Sequence, residues 1–168
     1  MAKHSNLLLA LLTVVTCLSV CTALWALSNQ EPDPVLPPDE LPAAEENAVP
    51  TGDDNGEKMD QPEGGGAVNL TYSDQVTISL SEGTAQLSFS NPSRSNQSMV
   101  LEIVIQGTTV VQSGALVPGT QVETLPLLDT AKLSPGGYEG KFQVTFYDEN
   151  GAQALLNTEI PISITVTE

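Results

Sequence analysis

The C-terminal part of the chain decides the fold, and its residues 140–167 read GKFQVTFYDENGAQALLNTEIPISITVT. Apolar residues occupy every second position in 142–146 and again in 160–166. This period of two predicts two β-strands, each with one face toward a core and the other toward solvent. Between them, Asn150-Gly151 favours a type I′ hairpin turn, because both positions of that turn have positive φ.

The same alternation continues upstream and predicts seven strands, over residues 74–80, 84–89, 98–106, 109–113, 120–125, 137–148 and 152–166. Gly107-Thr108 predicts a second hairpin, and Pro161 predicts a bulge or an edge position because proline has no N–H to donate to a ladder. No window within residues 67–168 has a helical period. Residues 67–168 are therefore predicted to be all-β, as an antiparallel immunoglobulin-like sandwich of about seven strands.

Tyr138 follows the loop Leu133-Ser134-Pro135-Gly136-Gly137 and shares its parity with the apolar face of the next strand. A tyrosine in this position is typical of the tyrosine corner, in which the hydroxyl bonds to nearby backbone. We therefore predict a structural role for Tyr138 rather than a ligand contact.

The N-terminal segment, residues 1–28, is predicted to be a signal anchor. Residues 7–27 contain no charged side chain and would span roughly 31 Å as a helix, which matches the hydrocarbon core of a bilayer. Lys3 lies before this stretch and Glu31 after it, so the positive-inside rule places the N-terminus in the cytoplasm. The C-terminal domain is then extracellular and the protein belongs to the cell membrane.

Two alternatives remain open for this segment. Ala26 and Ser28 are small enough for cleavage after Ser28, as in a secretory signal peptide. Cys21 is a candidate for lipidation, although Val20 is larger than the residue that usually precedes a lipidated cysteine.

Residues 29–66 are predicted to be a disordered acidic stalk. They contain eleven acids, one base and seven of the 12 prolines, with few large apolar residues. A segment that buries little apolar surface cannot offset the entropy lost on ordering. Fully extended, this stalk would approach roughly 120 Å in length.

Composition excludes several classes of function. The chain has 5 basic and 21 acidic residues, a net charge of −16, which argues against nucleic acid as a partner. Its one histidine and two cysteines all lie within the first 21 residues, so zinc ligation and His- or Cys-based catalysis are not expected elsewhere. The acidic cluster 53–57 lacks the ligand spacing of an EF-hand. We predict no catalysis, no metal and no cofactor.

Four short stretches resemble small single-span surface proteins of Gram-positive bacteria, which carry one immunoglobulin-like or fibronectin-like β-sandwich ectodomain. They are Phe89-Ser90-Asn91-Pro92, Ser113-Gly114-Ala115-Leu116-Val117-Pro118-Gly119, Leu133 through Tyr138, and Phe146-Tyr147-Asp148. The resemblance implies an exported bacterial domain, and it supplies no catalytic residues.

Two functions are consistent with these features. In the first, the sandwich is a membrane-anchored extracellular binding or adhesion module whose ligand is an unidentified extracellular protein or cell-envelope component. Its candidate contacts are exposed strand edges and the polar loop that carries Asn91, Arg94 and Asn96. In the second, the protein is an accessory subunit of a membrane or cell-envelope complex, and the transmembrane helix makes the specific contacts.

Overall fold

A computed structural model describes residues 36–52, 57–60, 66–129 and 131–168. This part of the chain consists of strands without a helix, which confirms the all-β prediction. The strands are β1 Val49–Pro50, β2 Thr71–Tyr72, β3 Gln75–Ser79, β4 Thr84–Asn91, β5 Ser98–Ile105, β6 Thr108–Gln112, β7 Thr120–Pro126, β8 Gly136–Tyr147 and β9 Gln153–Thr167.

The nine strands form one curled sheet in the order β1-β7-β4-β3-β9-β8-β5-β6, and β2 pairs separately with β4. Alternate side chains of β3, β4, β5, β8 and β9 point to the inside of the curl, as their period of two requires. They make one hydrophobic core, which includes Val76, Ile78, Leu87, Phe89, Met99, Leu101, Ile103, Leu125, Phe142, Val144, Ile162 and Ile164.

The seven strands predicted from the sequence correspond to β3 through β9, with ends that agree within two residues. The prediction that all pairs are antiparallel is wrong for β3 and β9, which pair in parallel from Gln75↔Ser163 to Ser79↔Thr167. A tight hairpin forces antiparallel pairing only on strands that it connects directly. Because β3 and β9 lie far apart in sequence, no turn dictates their relative direction.

Both predicted hairpins are present, but their turns differ from the expectation. At the β8–β9 connection the Gly151 N–H donates to the Asp148 carbonyl at 3.0 Å, and Gly151 has φ +79° whereas Asn150 does not have positive φ. This connection is therefore not a type I′ turn. The β5–β6 connection has positive φ at both Gln106 (51°) and Gly107 (82°), as type I′ requires, one residue earlier than predicted.

Residues 36–51, here called the strap, lie against the sheet ahead of the first long strand. The strap exchanges backbone hydrogen bonds with Ala115, through Glu45 N–H to the Ala115 carbonyl at 2.9 Å and Ala115 N–H to the Ala43 carbonyl at 2.8 Å. Its last residues form β1, which pairs with the start of β7. The compact unit that contains the sheet begins at Pro34.

This arrangement differs from the predicted stalk over residues 29–66. The described part of that segment includes residues 36–52 and 57–60, and both stretches are hydrogen-bonded to the domain that the segment was expected to display. Most of the hydrogen bonds between the strap and the rest of the domain use backbone atoms of the strap, with the Glu45 carboxylate as an exception, and therefore need no hydrophobic periodicity in its sequence. The predicted membrane helix over residues 7–27 lies outside the described residues. In the described part of the chain, no helix is both long and apolar enough to cross a membrane.

Candidate binding surface

The first part of β9 forms a backbone edge of the sheet. Strand β8 pairs with β9 from Gln153 to Val166, whereas β3 covers the opposite side only from Ser163 onward. Residues 153–162 therefore have one side without a strand partner among the described residues. Leu155 is fully exposed, and Asn157, Glu159 and Pro161 are exposed as well. We call residues 157–161 the β9 edge.

The direction of the backbone groups along this edge follows from one hydrogen bond. The Ser163 N–H donates to the Asp74 carbonyl at 2.8 Å and so points away from β8. In a strand the N–H groups alternate sides with a period of two, so those of Asn157 and Glu159 point the same way. Pro161 contributes only its carbonyl. An N–H at this position would point to the open side, so the proline removes no hydrogen bond from the ladder with β8.

An exposed aromatic residue, Tyr72, contacts the core residue that pairs with this edge. The residue Tyr72 on β2 is 44% exposed, and its ring contacts the ring of Phe142 edge-on, with 6.4 Å between the ring centroids. Phe142 is fully buried, pairs with Ile160 of β9 and also contacts Phe89 at 5.6 Å. Tyr72 is thus an exposed extension of the aromatic core, connected through Phe142 to Ile160 of the β9 edge.

The charges around the β9 edge are mostly negative. Glu159 forms an ion pair with Lys141 of β8, with Nζ and Oε1 2.5 Å apart, and the Glu159 side chain remains 60% exposed. Asp74 and Glu139 are also exposed. They lie next to Ser163, which bonds to the carbonyl of Asp74 and pairs with Glu139. Three carboxylates and one ammonium group therefore flank this edge.

The three predicted loop residues lie in one loop, and each of them forms hydrogen bonds with other parts of the chain. Asn91 is fully buried, and its Nδ2 donates to the carbonyls of Gln97 at 3.0 Å and Leu116 at 2.9 Å. It closes the turn after β4 and presents no surface to a ligand. The sequence feature that could have indicated this structural role is the Asn91-Pro92 pair, which is as typical of a structural turn as of a binding loop.

Arg94 and Asn96 hold an upstream segment. The Arg94 Nε donates to the Glu57 carbonyl at 3.3 Å, and the Arg94 carbonyl accepts from the Met59 N–H at 2.9 Å. The Asn96 Oδ1 accepts from the Ala67 N–H at 2.9 Å. Much of the hydrogen-bonding capacity of this loop is thus taken up by residues before β2.

Tyr138 makes the local hydrogen bonds on which its structural interpretation depends. Its hydroxyl donates to the Ser134 carbonyl at 2.9 Å and accepts from the Ser134 N–H at 3.3 Å. Cys21, the candidate for lipidation, lies outside the described residues.

A buried carboxyl group lies on the outer side of β5, beneath the strap. Glu102 is fully buried and accepts hydrogen bonds from Gln112 and Gln143, each at 3.1 Å. Burial raises the pKa of Glu102, and the two amide donors lower it in part. The burial of Glu102 was not predicted from the sequence, because the outward parity of this residue indicates exposure.

The surroundings of Glu102 tie it to the strap. The Gln112 Nε2 also donates to the Leu36 carbonyl at 3.4 Å, and the Tyr147 hydroxyl donates to the Pro38 carbonyl at 2.5 Å. Burial raises the pKa of Tyr147, and the negative charges of Glu102 and Asp39 raise it further. Among the described residues no group of three His, Cys, Asp or Glu side chains could hold a metal ion.

Comparison with known proteins adds little. No protein-family model matches the chain, and no curated protein matches it. Among solved structures it is similar to the periplasmic chaperone SfaE, with a TM-score of 0.37 and 13% identity over 60% of this chain. The match spans 56% of the length of that chaperone chain. No conclusion about fold or function depends on a similarity at this level.

Proposed function

We propose that the protein is a non-catalytic, membrane-anchored extracellular binding or adhesion module. In this proposal the curled sheet is an immunoglobulin-like sandwich, and residues 7–27 are its membrane anchor, with the N-terminus in the cytoplasm. The ligand is an extracellular protein or a component of the cell envelope. The observation that carries this proposal is the β9 edge, with its exposed side chains and its outward backbone groups.

An open strand edge is a binding site because its unpaired N–H and C=O groups satisfy those of another extended chain. Main-chain hydrogen bonds supply affinity, and side chains on alternate sides supply specificity. The carboxyl group with a raised pKa, Glu102, offers no comparable support for catalysis. Its nearest polar partners are the amides of Gln112 and Gln143, which are neither nucleophiles nor acids.

The second candidate function, an accessory subunit of a membrane complex, is favoured by the strap. Because Leu36 already bonds to Gln112 of the domain, at most residues 28–35 would separate the domain from an anchor that ends at Leu27. A tether of that length spans at most about 30 Å. The domain would then stay close to the bilayer, where a neighbouring membrane protein is the most accessible partner.

Photo-crosslinking in the native host tests both candidates. A photoreactive amino acid is placed at Asn157 on the β9 edge, or at Thr77, which is exposed on β3 but has strand partners on both sides. A third variant carries it at Val14 within the predicted anchor. The proposal predicts crosslinks from Asn157 to another exported macromolecule and none to that species from Thr77.

Crosslinks confined to the Val14 position, with another membrane protein as their target, would overturn the binding module in favour of the accessory subunit. Equal crosslinking from Asn157 and Thr77 would remove the assignment of the site to the β9 edge.

A further inference from the structure

We infer that the β9 edge binds an extended polypeptide segment in which apolar and basic residues alternate, and that this segment adds to the sheet as a further strand beside β9. The inference rests on the proposed function and names the chemistry of the partner at the same site. It follows from the coverage of the other edges, from the position of Tyr72 and from the charges around Glu159.

The chain itself covers much of the other sheet edges. The start of β7 is covered by Val49–Pro50 of the strap. On the β6 side, the Leu128 N–H donates to the Val110 carbonyl at 2.9 Å, and the strap bonds to Ala115 just beyond the strand. β7 is open only beyond Gln121, and the inward side chains there, Val122 and Leu125, are fully buried. An added strand would find no exposed apolar side chain at that edge.

At the β9 edge, Ile160 pairs with Phe142, and the ring of Phe142 contacts the exposed Tyr72 of β2. A strand laid against Asn157 and Glu159 would continue the alternation of β9, with every second side chain on the inner face of the curl. On that face it would approach Tyr72, an exposed residue whose ring already contacts Phe142. Burial of aromatic surface there favours apolar residues at the inward positions of the partner.

The outward positions of the partner would lie on the same face as Glu159. Directly cross-strand charges of opposite sign stabilise a pair, and like charges destabilise it. Asp74, Glu139 and Glu159 outnumber Lys141 around the edge, and the whole chain has a net charge of −16. Basic residues at the outward positions therefore complement this surface.

The same argument disfavours a second copy of the chain as the occupant. Antiparallel pairing of two β9 edges about Glu159 would place the two Glu159 side chains opposite each other and Asn157 opposite Pro161. The first pair repels, and the second has only one N–H donor instead of two. An unrelated basic strand has neither defect.

The test uses the full-length chain in detergent micelles and a fluorescent peptide of about ten residues that alternates Lys and Val. Fluorescence anisotropy measures binding at low salt, where surface charges are least screened. A matched peptide that alternates Glu and Val controls for charge. A third peptide, with the Lys-Val sequence and N-methyl groups on alternate residues, keeps the charge and removes the edge hydrogen bonds.

Two variants of the protein separate the β9 edge from a general charge effect. Glu159→Lys reverses a charge at the β9 edge, and Glu123→Lys reverses one on the open part of β7, where it is also exposed. We expect Glu159→Lys to weaken binding of the Lys-Val peptide about fivefold and Glu123→Lys to change it less than about twofold. Hydrogen exchange of the Asn157 and Glu159 amides is expected to slow when the peptide binds.

Equal affinity for the Lys-Val and Glu-Val peptides, equal loss in the two variants, or unaltered exchange at Asn157 and Glu159 would each overturn the inference. So would a dimer of the free chain crosslinked through Asn157, because it would make the second copy the occupant. Absence of peptide binding together with crosslinks from Asn157 to an exported macromolecule would overturn only the partner chemistry. Absence of both would remove the proposed function as well.

Discussion

At the scale of single residues, Glu102 shows how tertiary contacts alter the chemistry of a side chain. It lies on the outer side of β5, where strand parity predicts solvent, yet it is fully buried. Two glutamine amides donate to its carboxyl oxygens, and one of them, Gln112, also binds the strap. Burial favours the neutral carboxylic acid, so the pKa of Glu102 is raised.

The raised pKa makes a prediction about stability. Between the usual carboxyl pKa of 4.5 and the raised pKa of Glu102, the folded chain holds a proton that the unfolded chain has lost. The contribution of Glu102 to the free energy of unfolding therefore increases as the pH falls through this window and is lost as the pH rises. In Glu102→Gln this contribution should be missing. Urea unfolding of both chains across this pH range measures it, and parallel pH profiles would contradict the assignment.

The positive φ of Gln106 makes this position a candidate for a substitution that raises the free energy of unfolding. It has φ +51° in the first central position of the β5–β6 turn, a conformation that asparagine tolerates better than glutamine. We expect Gln106→Asn to raise the free energy of unfolding by roughly 0.5 kcal/mol. The control is Gln75→Asn, the same chemical change at an exposed strand position, where β-propensity gives no gain. Thermal unfolding measures both, and equal effects would exclude the turn as the cause.

At the scale of elements, the strap depends on close approach to the loop after β6. A Cβ on Gly114 would lie 2.8 Å from the Ala43 carbonyl oxygen and 3.0 Å from Glu45 Cα. The Gly114 N–H also donates to Glu45 Oε2 at 2.6 Å. Glycine is therefore required here for contact with the strap rather than for a special φ.

Substitution of this glycine should release the strap without damage to the core. In Gly114→Ala we expect faster hydrogen exchange at the Leu41 and Glu45 amides, which bond to the Gly151 and Ala115 carbonyls. Gly137→Ala is the control, because a Cβ there meets nothing within 4 Å. If exchange of these amides is unchanged in Gly114→Ala, the strap does not depend on this contact.

Strand β9 has different neighbours along its length. Its second part lies between β8 and β3, whereas its first part has β8 alone. Pro161 stands just before this change, consistent with the edge position predicted from its missing N–H. The alternation of β9 is continuous across the change, so its sequence contains no mark of where β3 begins to pair.

At the scale of the whole molecule, the strap moves the N-terminal limit of the folded unit. The compact unit starts at Pro34, whereas the composition of the chain predicted a boundary after residue 66. A chain of residues 34–168 should therefore be more stable than one of residues 52–168, which lacks the strap but keeps the contacts of residues 57–60 with the domain. Loss of the strap exposes Tyr147, and we expect the free energy of unfolding to fall by about 2 kcal/mol. Urea unfolding of the two chains measures the difference, and equal stability would show that the strap contributes nothing.

How much could be predicted from the sequence depends on whether the signal is local. The ends of strands β3 to β9 were predicted within two residues, because the alternation of apolar and polar residues is visible within a short stretch of sequence. Phe142, Val144 and Phe146 are an example. The roles of Asn91 and Glu102 were not predicted, because their burial is due to Leu116 and the strap, which lie elsewhere in the sequence.

The sequence by itself determined that this protein is all-β, where its long strands run and that its charge is strongly negative. Only the tertiary structure decided that β3 and β9 pair in parallel, that the strap covers the outer side of β5 and β8, and that the β9 edge stays open. The physical reason is that these features depend on backbone hydrogen bonds between distant segments. Every residue except proline has the same backbone donor and acceptor, so such bonds leave no pattern in the sequence.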